Sequence, residues 1–447
     1  MLLTFAAFFF VLSIVVFVHE FGHFIVAKLN RIYVVTFSFG FGPKLLRKKV
    51  GETEYAISAL PFGGYVKFAG EMAEAERGGP EAQLESDVAP DRMYRNKAPW
   101  QRMSVVLAGP AMNFILALLV YVFSLYIEGV YVNPSTAVQE IAKGSPAERA
   151  GLRVGDTILA IDGTRLAYWG QIERLLARKK AAVSRYKVLR GADTLSIDVA
   201  AAFDAESRAW RIGIVSYLPA RIGDVKKQSP AERAGLRPGA TVISINDTAV
   251  TRYSDLEDRI LPRPGVPMKF TWESRGAVRS AVITPAAGEA ASEGKRLDVV
   301  KVGQIGISPY YEKVRISFGE AIVYGSRAFA GLFWAIIDFL GKLVSGHATI
   351  RAIGGPLRVG IMAGDMIRWG FSYLIYFLAF FSLNLAIFNL LPILPFDGGH
   401  FMLGLVETVT RRPIGRKVQQ VLMQTGFIIL IVLMVFILSI DILNIVR

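Results

Sequence analysis

The chain has 447 residues, 53% of them hydrophobic and 20% charged, which is long enough for several domains and too apolar for an ordinary soluble protein, so a membrane protein is the default class. A net charge of +14 raises the question of nucleic acid, but the basic residues are spread over loops and tail rather than gathered with stacking aromatics into one strip, and that class is excluded. Cysteine is absent, which rules out disulfides and thiolate ligands and leaves histidine and carboxylate for any zinc site.

The first predicted element, 1–30, carries an almost unbroken apolar run from Met1 to Val18. It lacks the basic n-region and small-residue cleavage site of a secretory signal, so it is read as a retained membrane span, Leu2 to Leu29. His19, Glu20 and His23 follow the apolar run directly. Residues four apart on a helix share one face about 6 Å apart in height, so the two imidazoles can be aimed at one point. Such a pair forms a two-toothed zinc grip, and Glu20 beside the first ligand is placed to act as general base and acid. Ionisable groups inside a span are costly enough that function is their default explanation.

Residues 31–103 read as a cytoplasmic-side β region and loop. Between Ile32 and Gly70 the pattern is strand-like, with Gly40, Gly42, Gly51, Gly63 and Gly64 as turns or close approaches. The stretch 71–97 is polar and acidic and reads as a mobile loop. Lys44, Arg47, Lys48, Lys49, Arg92, Arg95, Lys97 and Arg102 place this region in the cytoplasm by the positive-inside rule.

A second span, Val105 to Ile127 within 104–128, returns outward. Residues 129–310 change in kind, to short β-branched runs separated by Gly, Pro and Asp turns. The segment from Ser145 to Arg153 recurs unchanged from Ser229 to Arg237, so two copies of one α+β module, 129–217 and 218–310, are predicted. Ile316 to Val344 is apolar and long, but Glu320, Arg327, Asp338 and Lys342 argue for an amphipathic helix on the outer surface, within a connecting region 311–370.

The third span, 371–396, is interrupted by Asn384, Asn389 and Pro392 and runs into Asp397. A loop at 397–424, basic at Arg411, Arg412, Arg416 and Lys417, is read as cytoplasmic, and a fourth span fills 425–447. Catalytic zinc needs a third protein ligand. Asp397 is the candidate, at the end of the interrupted span where prolines break the helix and Gly398 and Gly399 let the backbone turn closely; four spans put it at the same end of the membrane as His19 and His23, whereas a fifth would set it across a ~30 Å hydrocarbon core. His400 and His347 are rival ligands, and Asp338 and Asp365 fall on the outer side.

The chain resembles the site-2 proteases, and within them the bacterial regulator-of-sigma-E protease branch. The matching pieces are His19-Glu-Phe-Gly-His23, Gly109-Pro-Ala-Met-Asn113, the tandem repeats, Gly354-Gly-Pro356, and Asn389 through Gly399, in the family's order. Phe396 departs from the Leu usual before the Asp, which alters packing and not ligation. The resemblance implies a polytopic inner-membrane zinc endopeptidase of four transmembrane helices with two periplasmic PDZ-like domains and a membrane-associated β element. It implies Asp397 as third ligand to Zn2+, and substrate binding by Asn389, Gly40, Phe41, Gly42 and Tyr65, the strand edge pairing with an unwound substrate. For Asn389 and Asn113, hydrogen bonds between helices of the bundle are the competing role.

The partners implied are the lipid bilayer and single-span membrane proteins already trimmed outside, such as anti-sigma factors and signal-peptide remnants, in an envelope stress response. The PDZ-like modules act in this reading as a gate against bulky substrates, with rigid spacers as the alternative. Two other functions fit the same residues: a metal-free membrane scaffold, and a transporter with His19, His23 and Asp397 on an ion path.

Overall fold

A computed structural model describes residues 2–71, 88–179, 182–204, 209–291, 299–349 and 354–446. Most of the stretch read as a mobile loop, 72–87, lies outside the described residues. The chain divides into two units, one built from Met1–Ile127 and Ser317–Arg447, the other from Glu128–Ser292 and Val299–Ile316.

In the first unit four helices are long and apolar enough to cross a membrane: Leu2–Leu29, Pro99–Glu128, Phe371–Asn389 and Lys417–Ser439. Helices satisfy their own backbone groups, which lipid cannot do. Val11 and Val15 of the first span pack on Leu374, Phe377 and Leu378 of the third, and Ala117 of the second meets Ala379 and Leu383. The first and second spans come close at Gly22, where an added Cβ would lie 2.7 Å from Met112 Cγ and would strike the Ala108 carbonyl. Small residues permit such backbone approach between membrane helices.

The fourth span is the least covered. Gly426 on this helix comes close to the Leu394 backbone, where an added Cβ would stand 2.7 Å from the carbonyl carbon. Near its other end the buried Asp441 accepts from the amides of Gly355 and Arg358, both at 3.3 Å, and so caps the connecting helix Pro356–Trp369.

The amphipathic helix forms as Phe318–Val344, capped by Ser317 and Glu320, and its apolar stripe is laid along the second and third spans. Gly325 meets Val122, and the rings of Phe329 and Phe333 stand 6.3 and 6.1 Å from Phe114. Asp338 and Lys342, one turn apart, neutralise each other at 2.8 Å. The supposed loop at 397–424 contains a helix, Asp397–Thr410, and the final helix begins at Arg416. Gly398 and Gly399 let this helix close on the chain before it.

Two long strands, Val34–Val50 and Thr53–Phe68, form a sheet beside the first span. Residues 36–39 register against both 54–57 and 64–67, and residues 44–50 register against 53–58. The two strands therefore act as four segments, with 64–68 at one end of the sheet and 44–50 at the other. Ser13 of the first span donates to the Pro61 carbonyl, tying helix to sheet.

The second unit contains two modules of matching topology. Each holds a four-stranded sheet, Thr157–Ile161 central with Thr164–Arg165, Val183–Arg190 and Asp193–Ala200, and Thr241–Ile245 central with Thr248–Ala249, Met268–Ser274 and Ala277–Ile283. The repeated nonapeptide has the same task in both: Ser145 and Ser229 accept the amides of Glu148 and Glu232 at 3.2 Å, each starting a one-turn helix. Each module encloses its own core, around Ile158, Tyr186 and Val188 in the first and Val242, Phe270 and Trp272 in the second.

Candidate metal centre

The helical period brings His19 and His23 onto one buried face of the first span, with their Nε2 atoms 3.1 Å apart. Asp397 occupies the first turn of Asp397–Thr410 and presents Oδ2 at 3.1 Å from His19 Nε2 and 3.7 Å from His23 Nε2. All three ligand atoms lie within 4.8 Å of one another. Glycine is required behind the carboxylate: a Cβ on Gly399 would lie 2.7 Å from the Leu394 amide nitrogen, and one on Gly398 would strike the Leu390 and Leu391 carbonyls.

Two imidazole nitrogens and one carboxylate oxygen form the donor set of a catalytic zinc site, three protein ligands with a fourth position left open. Apart from the two imidazole nitrogens that converge on it, Asp397 Oδ2 is buried without a hydrogen-bond partner. A bare carboxylate oxygen is costly in that setting and a cation satisfies it, so the residues present fit the metal.

The second span supplies the surroundings of the imidazoles at four-residue intervals. The Val105 carbonyl lies 2.8 Å from His23 Nδ1 and accepts its proton. At Gly109 an added Cβ would stand 2.6 Å from His23 Cε1 and 2.7 Å from His19 Cε1. The Asn113 amide is 3.3 Å from His19 Nδ1. Sequence reasoning singled out Gly109 and Asn113 as part of a motif without finding this relation. The signal was their i, i+4 spacing on one helix face, whereas the Val105 carbonyl, a backbone group, left none.

Glu20 faces the sheet. The Cβ position of Gly64 is 3.8 Å from Glu20 Cγ, and the Val66 backbone hydrogen-bonds to its carboxylate. Of the other candidates, Asn389 Nδ2 is 3.4 Å from His19 Nε2, at the metal-facing side. Gly40, Phe41, Gly42 and Tyr65 belong to the sheet, where Phe41 and Tyr65 stack with ring centres 6.0 Å apart and Gly40 and Gly42 take φ of +89° and +85°. Gly63 joins them to the first span, its Cβ position lying 3.2 Å from Val16 Cβ and 3.3 Å from the Phe41 ring.

The rival ligands are not part of the cluster. His347 bonds Ser345 at 2.9 Å on an exposed turn, Asp338 pairs with Lys342, and Asp365 pairs with Arg368 at 3.6 Å. His400, on the same helix as Asp397, is absent from the converging group. Below the site, the buried Glu407 accepts from Arg102 and from the Ile414 amide at 3.1 Å, fastening the helix that carries Asp397 to the second span.

Residues 7–433 match peptidase family M50. A protein of Neisseria meningitidis that carries the name of a zinc metalloprotease is 32% identical, the match covering 96% of this chain and 97% of that one. Regulator of sigma-E protease RseP of Escherichia coli is 31% identical over 96% of both chains, and protease RseP of Yersinia pestis 30% over 96% of both. Among solved structures, the PDZ domain of an SdrC-like protein of Listeria monocytogenes aligns at 21% identity over 20% of this chain and 92% of that one, with a TM-score of 0.17.

Proposed function

This chain belongs to peptidase family M50 and is a zinc metalloprotease, and from that premise we propose that it cuts peptide bonds within a bilayer, at a centre held by His19, His23 and Asp397. The observation that carries the reading is the convergence of His19 Nε2, His23 Nε2 and Asp397 Oδ2 on one point, on helices otherwise apolar enough to span a membrane. Zinc, when bound there, polarises the scissile carbonyl and lowers the pKa of water.

The remaining work falls to the chain itself. Glu20 takes the proton from the attacking water and passes it to the leaving amine. Asn389, beside His19, hydrogen-bonds the substrate backbone. The end segment of the sheet, 64–68, runs past Glu20, and an unwound substrate added to it lies extended along the site; Gly40, Phe41, Gly42 and Tyr65 shape that surface. A helical substrate hides its carbonyls, so helix-weakening residues near the cut favour cleavage.

The kinship with proteins named for regulation of sigma-E supports substrates that are single-span membrane proteins trimmed outside, such as anti-sigma factors and signal-peptide remnants. It also supports placement in the bacterial inner membrane, with the two modules as periplasmic PDZ-like domains and the metal near the cytoplasmic face. Co-expression of such substrates with the parent chain and with Glu20→Gln tests this. The parent is expected to cut; the variant is expected to keep zinc and hold uncut substrate. Cleavage by Glu20→Gln at the parental rate would sink the proposal.

A further inference from the structure

Asn113 is fully buried, and its Oδ1 has no hydrogen-bond partner. Its amide lies 3.3 Å from His19 Nδ1, the ring nitrogen turned away from Asp397. An imidazole that gives Nε2 to a metal carries its proton on Nδ1, and that N–H needs an acceptor. His23 has one, the Val105 carbonyl. For His19 the described residues offer only Asn113, and a half-turn of that amide exchanges its nitrogen for its unsatisfied oxygen.

We propose that Asn113 is a positioning residue that holds His19 in its metal-binding tautomer by accepting the Nδ1 proton through Oδ1. The surrounding geometry fixes the amide in place. Ser382 on the third span donates to the Asn113 carbonyl at 2.9 Å, and Gly109, one turn before it, leaves the room that lets the second span come this close to both imidazoles. A role confined to bundle cohesion asks only for a polar group between helices. A tautomer lock asks specifically for an acceptor facing His19. The inference rests on the zinc reading of the site.

The test compares full-length parent, Asn113→Leu and Asn113→Asp in detergent, measuring zinc affinity by chelator competition. Leucine keeps the volume and removes the acceptor; aspartate keeps the acceptor. Asn113→Leu is expected to weaken zinc binding roughly 10- to 100-fold, and Asn113→Asp to restore it. Nitrogen-15 spectra of histidine-labelled parent, assigned by removing the four histidines in turn, are expected to show His19 protonated at Nδ1 in the zinc-loaded state. Parental affinity in Asn113→Leu, or a His19 that ligates through Nδ1, overturns the proposal; the spectrum keeps it open to refutation even where the leucine variant fails to insert. A parent chain that binds no zinc, or binds it equally well after His19→Ala, would instead overturn the metal reading itself.

Discussion

Gly109 lies against His19 so closely that its missing Cβ would stand 2.7 Å from the imidazole Cε1, inside van der Waals contact. The space for the metal ligands is thus set by the absence of one carbon atom on a neighbouring helix. Gly109→Ala is expected to push both rings out of register and lower turnover about 100-fold or more, the usual cost of displacing a catalytic group by an ångström. Zinc content and cleavage rate, measured on the same preparation, check this; unchanged zinc and rate would show that the helices yield.

Removal of Glu20, the proposed general base, separates chemistry from metal binding. Glu20→Gln is expected to retain zinc while losing roughly 10²- to 10⁴-fold in rate, whereas Asp397→Ala loses both. Metal analysis beside single-turnover cleavage distinguishes the two.

The ion pair beneath the site should behave as buried pairs do. Arg102→Leu leaves Glu407 buried with its charge uncompensated and is expected to cost about 3–5 kcal/mol, much of it recovered in the double variant with Glu407→Leu. Thermal unfolding in detergent, followed with and without zinc, reads the effect.

In the second module, burial tends to raise the Asp255 carboxyl, but the hydrogen bonds from Arg252 and from the Thr251 amide outweigh it and bring the pKa from 3.8 down to about 2. A depressed carboxylate stabilises the fold above its unfolded pKa, and that contribution is lost as pH falls through the folded value. Opening of this module, read as hydrogen exchange relative to the intrinsic rate at each pH, is therefore expected to rise between about pH 4 and 2, and Asp255→Asn to flatten that rise while loosening the module at neutral pH. In the first module Asp156 follows the same sign: burial opposes its charge, but Arg190, at 2.7 and 2.8 Å, holds its pKa below the ordinary value.

The parts of the site that depend on side-chain type and spacing were legible in the sequence. His19 and His23 are joined by the helical period, and Asp397 stands at the end of the interrupted third span, on the side where the crossing count puts the histidines. What stayed hidden depends on backbone. Any residue has a carbonyl like that of Val105, and nothing in 36–39 announces that it pairs on both sides. The stretch from 397 read as a loop from its basic residues, yet it opens with a helix in which Gly398 and Gly399 close on Leu390–Leu394 despite a preference against helix of about 1 kcal/mol each.

Leu394, which Gly426 approaches most closely, stands three residues before Asp397. A side chain at position 426 would run into the Leu394 carbonyl and would have to displace the segment that leads into Asp397. The choice of glycine on the final helix is thus felt three residues from the carboxylate proposed to hold the metal.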